Sequence, residues 1–253
     1  MNSARQAGDA FFVAPYSARE LVVHLTGAVA NSVLGAAALT WLASTWRSHD
    51  ATWWGVGLAV LCGIYCADLV SGLLHWAFDT WFNEHIGFVR RMVLQVREHH
   101  VYPERIFDIH FSHDVGSLSW IALLLTAPII GWAVFVADAA SSLAAYSILA
   151  SCVFSALLVF MLETHKCGHR AHNPRYVRLL QRSGLLLSVS HHVRHHGGRR
   201  DFNYCIVNGW ADRTLGRLGL FRGLESLVTR LTGALPRNND QDWLRRFGRR
   251  RVA

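Results

Sequence analysis

Paired cysteines are absent from this sequence. Its five cysteines are an odd number, none belongs to a CxxC motif, and three of them (Cys62, Cys66 and Cys152) lie inside apolar runs. This arrangement argues against a disulfide framework and against a zinc site built from cysteine.

Acidic residues are also scarce, because 17 Asp and Glu stand against 25 Lys and Arg, for a net charge of +8. No helix-turn-helix pattern or aromatic-interleaved basic motif accompanies this charge, so we expect no nucleic-acid partner. The basic charge instead coexists with 52% hydrophobic residues and a positive mean hydropathy. Apolar and basic residues must therefore be segregated, as in an integral membrane protein whose basic flanks contact anionic lipid.

A cleavable signal peptide is not visible at the N-terminus. The first twenty residues contain Asp9, Pro15 and Glu20, and they lack a short apolar run that ends in an A-x-A-like site. We therefore expect the first apolar segment to remain in the mature protein.

Four apolar segments, at about residues 21–46, 53–76, 118–136 and 143–162, are long enough to cross roughly 30 Å of hydrocarbon. Short polar turns join the first to the second and the third to the fourth, so we expect each pair to form antiparallel neighbours. No internal repeat or low-complexity linker interrupts the chain. The predicted fold is all-α, an integral membrane four-helix bundle within a single domain of residues 1–253.

Basic residues predict the orientation of these spans. Two Lys or Arg precede the first span, four lie between the second and third, and eighteen follow the fourth, whereas Arg47 is the one basic residue in the two opposite turns. By the positive-inside rule both termini should be cytosolic, in a bacterial inner membrane or the endoplasmic reticulum. Residues 82–117 and 164–235 should then form a helical cytosolic cap, followed by a polar tail from Pro236.

One stretch of the cap, residues 215–232, has apolar residues at three- and four-residue spacing between arginines. This pattern suits a helix that lies in the membrane interface. A helix packed on the protein's own cap fits the pattern equally well, so both interpretations remain open.

Histidines are concentrated on one side: thirteen of the fifteen lie on the predicted cytosolic side or at its membrane boundary. A helix projects positions i, i+3 and i+4 from one face, so His165 with His169, and His192 with His195 and His196, can direct several imidazoles at one point. The remaining groups on this side are His75-x-x-x-Asp79, His99-His100 and His110-x-x-His113. Together the groups predict a metal site.

Ligand type narrows the choice of metal. Imidazole suits iron, zinc, copper and nickel, and eight or more histidines exceed what one tetrahedral zinc needs, which indicates two metals. Two irons could remove hydrogen from an unactivated C–H bond with O₂, a reaction that redox-inert zinc cannot support. Asp79 is open to three interpretations: an acceptor that orients an imidazole, a metal ligand, or a surface charge. Glu98 and Glu163 invite the first of these, and His191 is either a ligand or a neighbour of the ligands.

At these residues the sequence resembles the plasmanylethanolamine desaturases and the related plant plastid desaturase that acts on phosphatidylglycerol. The resemblance rests on Asp68 to Trp81, Arg97-Glu-His-His100, Thr164 to His169, His191 to His196, and Asn203 to Trp210. It implies an O₂-dependent diiron desaturase that forms the vinyl-ether double bond of plasmalogens in a membrane phospholipid. Electrons would come from an external cytochrome b5-like or ferredoxin-like donor.

The resemblance also implies a set of functional residues. Asp79 matches a conspicuous acidic position and is the candidate catalytic residue. The family's histidine after its His-His pair falls here on Ile109, which leaves His110, His113 or neither for that role, and Cys167-Gly168 replaces the usual Trp-Ser. The implied metal ligands are His75, His99, His100, His165, His169, His192, His195 and His196.

Three other functions fit the same residues: an acyl-chain desaturase acting on a phospholipid such as phosphatidylglycerol, a hydroxylase, and a non-catalytic membrane metal-binding protein. The last fits less well, because the spans carry few polar residues, chiefly His24, Asn31 and Asp68, with which to line a conduction path.

Overall fold

Nine α-helices account for most of the chain in a computed structural model that describes residues 17–87, 89–137, 141–197, 201–237 and 240. Three short helical segments, Trp46–Ser48, Pro103–Asp108 and Asp212–Gly216, lie between them. The all-α prediction is confirmed. The helices are α1 Ala18–Thr45, α2 Trp53–Thr80, α3 Arg90–Val101, α4 Phe111–Phe135, α5 Ser142–Val159, α6 Met161–His169, α7 Arg175–Arg182, α8 Val189–His196 and α9 Leu220–Thr232.

Four of these helices, α1, α2, α4 and α5, are long and apolar enough to cross a membrane, α1 together with the Trp46–Ser48 turn. Side chains fix where the first two begin: Ser17 and Glu20 form a reciprocal capping box at α1, and the Thr52 hydroxyl accepts from Gly55 N at α2. The boundaries of the last two differ from the predicted spans. Helix α4 begins at Phe111, well before residue 118, and α5 ends at Val159, where a break at Phe160 separates it from α6.

The spans pack in the order α1, α4, α5, α2. The third and fourth spans are neighbours, as predicted, but the expectation for the first pair is wrong, because in the described part of the chain α5 separates α1 from α2. Small residues explain the choice. Gly55 and Gly63 of α2 face Tyr146 and Ala150 of α5 at positions where a Cβ would clash, and such residues let membrane helices approach closely.

Helix α2 is longer than the hydrocarbon that it crosses. Its 28 residues extend about 42 Å, against roughly 30 Å of hydrocarbon. The exposed Trp53 and Trp54 at its start are typical of an interfacial aromatic belt. Counting about 20 residues from there reaches Gly72, so His75 and Asp79 lie just past the apolar layer.

The remaining helices form a cap at the end of the bundle where α2 ends, α4 begins and α5 ends, as predicted. Helix α9 packs Phe221, Leu224 and Val228 against the α2 surface around Trp76, so one of the two interpretations of residues 215–232 is confirmed. Its Leu227 and Leu231 remain exposed, and contact of this second face with lipid stays a prediction. The predicted polar tail folds back at Arg237 and Asp240, both of which contact the cap.

Candidate metal centre

Nine side chains of the cap and the end of α2 form two adjacent groups of possible metal ligands. The five-histidine group consists of His99, His165, His169, His192 and His196, and the Asp79 group consists of His75, Asp79, His100 and His195. Within each group the ligand atoms all lie within 4.8 Å of one another. Metal–nitrogen bonds of about 2.0–2.1 Å allow ligands on opposite sides of an ion to be about 4.2 Å apart, so each group matches the size of one coordination sphere.

Helix geometry explains the division. Residues four apart share a face, so His165 with His169 and His192 with His196 fall into one group, and His75 with Asp79 into the other. Adjacent residues point about 100° apart, since one turn takes 3.6 residues. The pairs His99-His100 and His195-His196 therefore each give one side chain to each group. Sequence spacing had assigned His192, His195 and His196 to a single point, and the structure turns His195 to the other group.

The five-histidine group brings ring nitrogens into direct contact. His192 Nε2 lies 2.7 Å from His165 Nε2, 2.5 Å from His169 Nε2 and 3.0 Å from the Nε2 of His196. Each ring nitrogen of a neutral imidazole has either one N–H or one lone pair, so His192 Nε2 can form a hydrogen bond with only one of these three neighbours and is left in unfavourable contact with the other two. A cation that accepts all their lone pairs resolves the conflict, so this donor set fits a metal.

The protonation state of these rings also suits metal binding. Burial, and next the neighbouring histidines, lower the pKa of His169 to about 4. The same causes lower the pKa values of the other four rings of the group below the usual range for histidine. The rings are therefore neutral near pH 7, and neutral imidazole is the form that ligates metals.

In the Asp79 group a carboxylate lies among three imidazoles. Asp79 Oδ2 is 3.4 Å from His75 Nε2 and 3.2 Å from His195 Nε2, and its Oδ1 is 3.3 Å from His100 Nε2. These separations exceed the 2.7–2.9 Å typical of charge-assisted hydrogen bonds, and they leave space for a cation between the atoms. Burial opposes the charge on His100, but Asp79 and Asp240 outweigh it and raise the pKa of His100 to about 9.

Hydrogen bonds on the outer side fix which ring nitrogen faces inward. His75 Nδ1 donates to Tyr204 O at 2.9 Å, and His195 Nδ1 to Phe202 O at 2.8 Å. His99 Nδ1 lies 3.2 Å from Pro103 O. A carbonyl oxygen can only accept, so Nδ1 carries the proton and the Nε2 lone pair points into the group. The acidic neighbours suggested by sequence do not do this, because Glu98 faces Arg105 and Glu163 pairs with Lys166.

The two carbonyls that hold His75 and His195 belong to residues 201–209, a non-helical segment that lies among the spans in its later part and leads into a helical turn at residues 210–211. Its Ile206 and Val207 pack in one cluster with Ala67, Leu118 and Leu158, which belong to α2, α4 and α5. We call residues 204–211 the inserted loop. Non-helical backbone at this depth must have its polar groups satisfied by the protein.

Asp68 and Ser71 of α2 accept hydrogen bonds from the backbone N–H groups of the inserted loop. Asp68 is fully buried, and its carboxylate accepts from the backbone N–H groups of Asn208, Gly209 and Ala211 at 2.8–2.9 Å. The Ser71 hydroxyl accepts from Ile206 N at 3.0 Å. Sequence reasoning noted Asp68 but missed this role; the Asp68-x-x-Ser71 spacing on one helix face was the available signal.

Three predicted or suspected histidines lie outside both groups. His110 and His113 stand at the start of α4, where the His113 ring centroid is 5.2 Å from that of His24. His191 turns away, and its Nε2 lies 2.9 Å from Asp212 Oδ2, which also accepts from Cys205 N. His191 therefore helps to hold the Asp212 carboxylate that binds the inserted loop at Cys205. Asp240, which sequence reasoning missed, lies 2.9 Å from His100 Nδ1.

Comparisons with known proteins show which family this chain resembles. A lipid desaturase domain is recognised over residues 64–239. The chain is 33% identical over 206 residues to a plasmanylethanolamine desaturase of Myxococcus xanthus, covering 77% of this chain and 68% of that protein. It is 29% identical to plasmanylethanolamine desaturase 1 of Mus musculus, covering 75% and 71% of the two chains. It is also 29% identical to the chloroplastic fatty acid desaturase 4 of Arabidopsis thaliana, covering 74% and 57%. No solved structure gives a significant match.

Proposed function

Because this chain belongs to the lipid desaturase family of membrane oxidoreductases, we propose that it is an O₂-dependent diiron enzyme that converts plasmanylethanolamine to its vinyl-ether form. The observation that carries the proposal is the division of nine donors, seven buried and two half-buried, into two adjacent groups, each about the size of one coordination sphere. Eight imidazoles and one carboxylate suit iron, and two redox-active irons supply the O₂ activation that a C–H bond next to an ether oxygen requires.

The overall reaction balances with an external reductant. Two hydrogen atoms leave adjacent carbons of the alkyl chain, and a carrier supplies two electrons that enter with two protons. O₂ accepts these and leaves as two molecules of water. We propose a cytochrome b5-like or ferredoxin-like carrier.

The chain's own residues position the ligands and the lipid. The carbonyls of Tyr204 and Phe202 hold His75 and His195 in the tautomer that presents Nε2. The basic cap suits a phospholipid head group, since arginine binds phosphate through charge-assisted hydrogen bonds. The excess of basic residues at this end of the bundle supports a cytosolic location for the site and for both termini.

The names of the relatives support the ether lipid as substrate, because the bacterial and mouse proteins are both plasmanylethanolamine desaturases. The plant relative, a fatty acid desaturase, supports an acyl chain as the second candidate. Vinyl ethers release an aldehyde in acid, whereas acyl double bonds do not, so the two products are separable.

Lipid analysis of cells with and without the gene tests the proposal. We expect an ethanolamine lipid that has lost two hydrogen atoms and releases an aldehyde on acid treatment. An acyl chain with a new double bond would instead support the second candidate, and a product that gains oxygen would indicate hydroxylation. His165→Ala should abolish the product, and exposed His85→Ala is the matched control that should retain it.

Metal analysis of the purified protein gives an independent test. We expect about two irons per chain and O₂ consumption that depends on a reductant. A protein that holds zinc alone and consumes no O₂ would refute the diiron proposal in favour of a metal-binding protein.

A further inference from the structure

Two residues beyond Pro236 return to the end of α2 and to the Asp79 group. Arg237 N donates to Thr80 O at 2.9 Å, and its guanidinium donates to Phe78 O at 2.7 Å and also to Phe82 O. These carbonyls belong to the last turn of α2 and the residues just after it, where a positive charge stabilises a helix. The same turn carries Asp79, so Arg237 restrains the backbone on which one side of the group is built.

Asp240 contacts the group directly. It is 6% exposed, and its Oδ2 lies 2.9 Å from His100 Nδ1. Its Oδ1 is 3.4 Å from both Arg97 Nη1 and Arg237 Nε. Two arginines therefore hold the carboxylate while it accepts from the imidazole.

This contact differs from those of three other outward-facing ring nitrogens. His75, His195 and His99 face neutral backbone carbonyls, whereas His100 faces a carboxylate. A carboxylate acceptor fixes the tautomer as a carbonyl does, and it also raises the basicity of the ring and its donation to a metal.

We propose that Asp240 is a positioning residue that holds His100 for the metal of the Asp79 group and that Arg97 and Arg237 hold Asp240 in place. This inference rests on the proposed diiron function. It assigns the C-terminal segment a role in metal binding, and it predicts that the two metals differ in their dependence on that segment.

Asp240→Asn tests the inference in the full-length protein, because an amide oxygen can still accept from His100 Nδ1 but carries no charge. We expect iron to fall from two toward one per chain at limiting iron, with the weaker ion bound about 10–100-fold less tightly in a chelator competition. The midpoint potential should rise, because His100 becomes a poorer donor. Asp240→Glu should restore much of the affinity, and Asp240→Ala should lose more than Asp240→Asn.

Asp108→Asn is the matched control, since Asp108 has a side chain that is 65% exposed and pairs with Arg105, and the variant should keep both irons and the wild-type potential. Circular dichroism of each variant tests for misfolding, and Asp240→Asn keeps the experiment informative if Asp240→Ala does not fold. Unchanged affinity and potential in both Asp240→Asn and Asp240→Ala would overturn the inference while leaving the diiron proposal intact. A wild-type protein that binds no iron would overturn the diiron proposal itself, and the inference with it.

Discussion

Asp68 is the residue whose replacement tests the architecture most directly. Its carboxylate accepts three backbone N–H groups of the inserted loop, and no part of it reaches the surface. A buried donor that loses its partner costs about 1–3 kcal/mol. Asp68→Ala strands three donors, a loss of about 3–9 kcal/mol, which is comparable with the whole stability of roughly 5–15 kcal/mol of a typical protein.

Asp68→Asn is the more informative variant, because its amide keeps one accepting oxygen. If that oxygen replaces Oδ1, Asn208 and Gly209 remain bonded while the Ala211 N–H faces an NH₂ group, at a cost of about 1–3 kcal/mol. For a protein of this size the melting temperature should fall by about 2–12 °C. The Asp79 group should also lose metal, because the inserted loop carries the Tyr204 carbonyl that holds His75.

Thermal unfolding of the purified protein in detergent, followed together with bound metal, measures both effects. Asp108→Asn is the control: its side chain is 65% exposed, and such surface changes usually stay within about 0.5 kcal/mol. If Asp68→Asn melts with the wild type and keeps its metal, the inserted loop does not depend on Asp68, and the argument fails.

Three further predictions concern other parts of the molecule. A Cβ at Gly72 would lie 2.5 Å from Cys205 Sγ, so Gly72→Ala should destabilise the protein by about 1–3 kcal/mol, and adding Cys205→Ala should restore most of the lost stability. Gly57→Ala is the control, because the space around Gly57 is open. Equal melting temperatures for Gly72→Ala and Gly57→Ala would contradict the close packing of Gly72 against Cys205. In the metal-free protein His169 stays neutral down to a pKa of about 4, whereas an unfolded histidine takes up a proton below about 6.5. The free energy of unfolding should therefore be at its full value above pH 6.5 and should fall by about 1.4 kcal/mol per pH unit for each such histidine toward pH 4. Calorimetry should find a smaller pH dependence in His169→Gln, and a pH dependence equal to that of the wild type would refute the prediction. The exposed leucines of α9 should face lipid, so a fluorophore on Leu231→Cys in nanodiscs should be quenched by lipid-borne quenchers, unlike one on exposed Arg222→Cys; equal quenching by a water-soluble agent at both sites would count against it.

Hydropathy and spacing predict much of this structure because they are local properties. The four spans and the cap follow from apolar runs and basic flanks, and i,i+4 repeats bring His165 with His169, and His192 with His196, to one helix face each. Hydropathy does not predict the first turns of α4, before residue 118, because His113 and Asp114 make that part of the helix polar.

Contacts between distant residues account for what sequence reasoning missed. The place of α5 between α1 and α2 depends on small residues such as Gly63 meeting Ala150, which a short connecting turn does not reveal. Asp68 reads as an isolated polar residue in a span until the loop some 140 residues later is brought to it. Asp240 likewise lies in a tail of polar composition, and its partner His100 is also 140 residues away in the sequence.

The sharing of α3 and α8 between the two groups has a consequence for how the site responds to change. His99 with His100, and His195 with His196, are joined by single peptide units, so the spacing between the two groups is set by the backbone of two helices. A small rotation of either helix about its axis moves one side chain toward the centre of its group and the adjacent one away from the centre of the other. Neither group can be adjusted alone, and a one-residue insertion before either pair would turn the first histidine to the place of the second and move the second out of both groups.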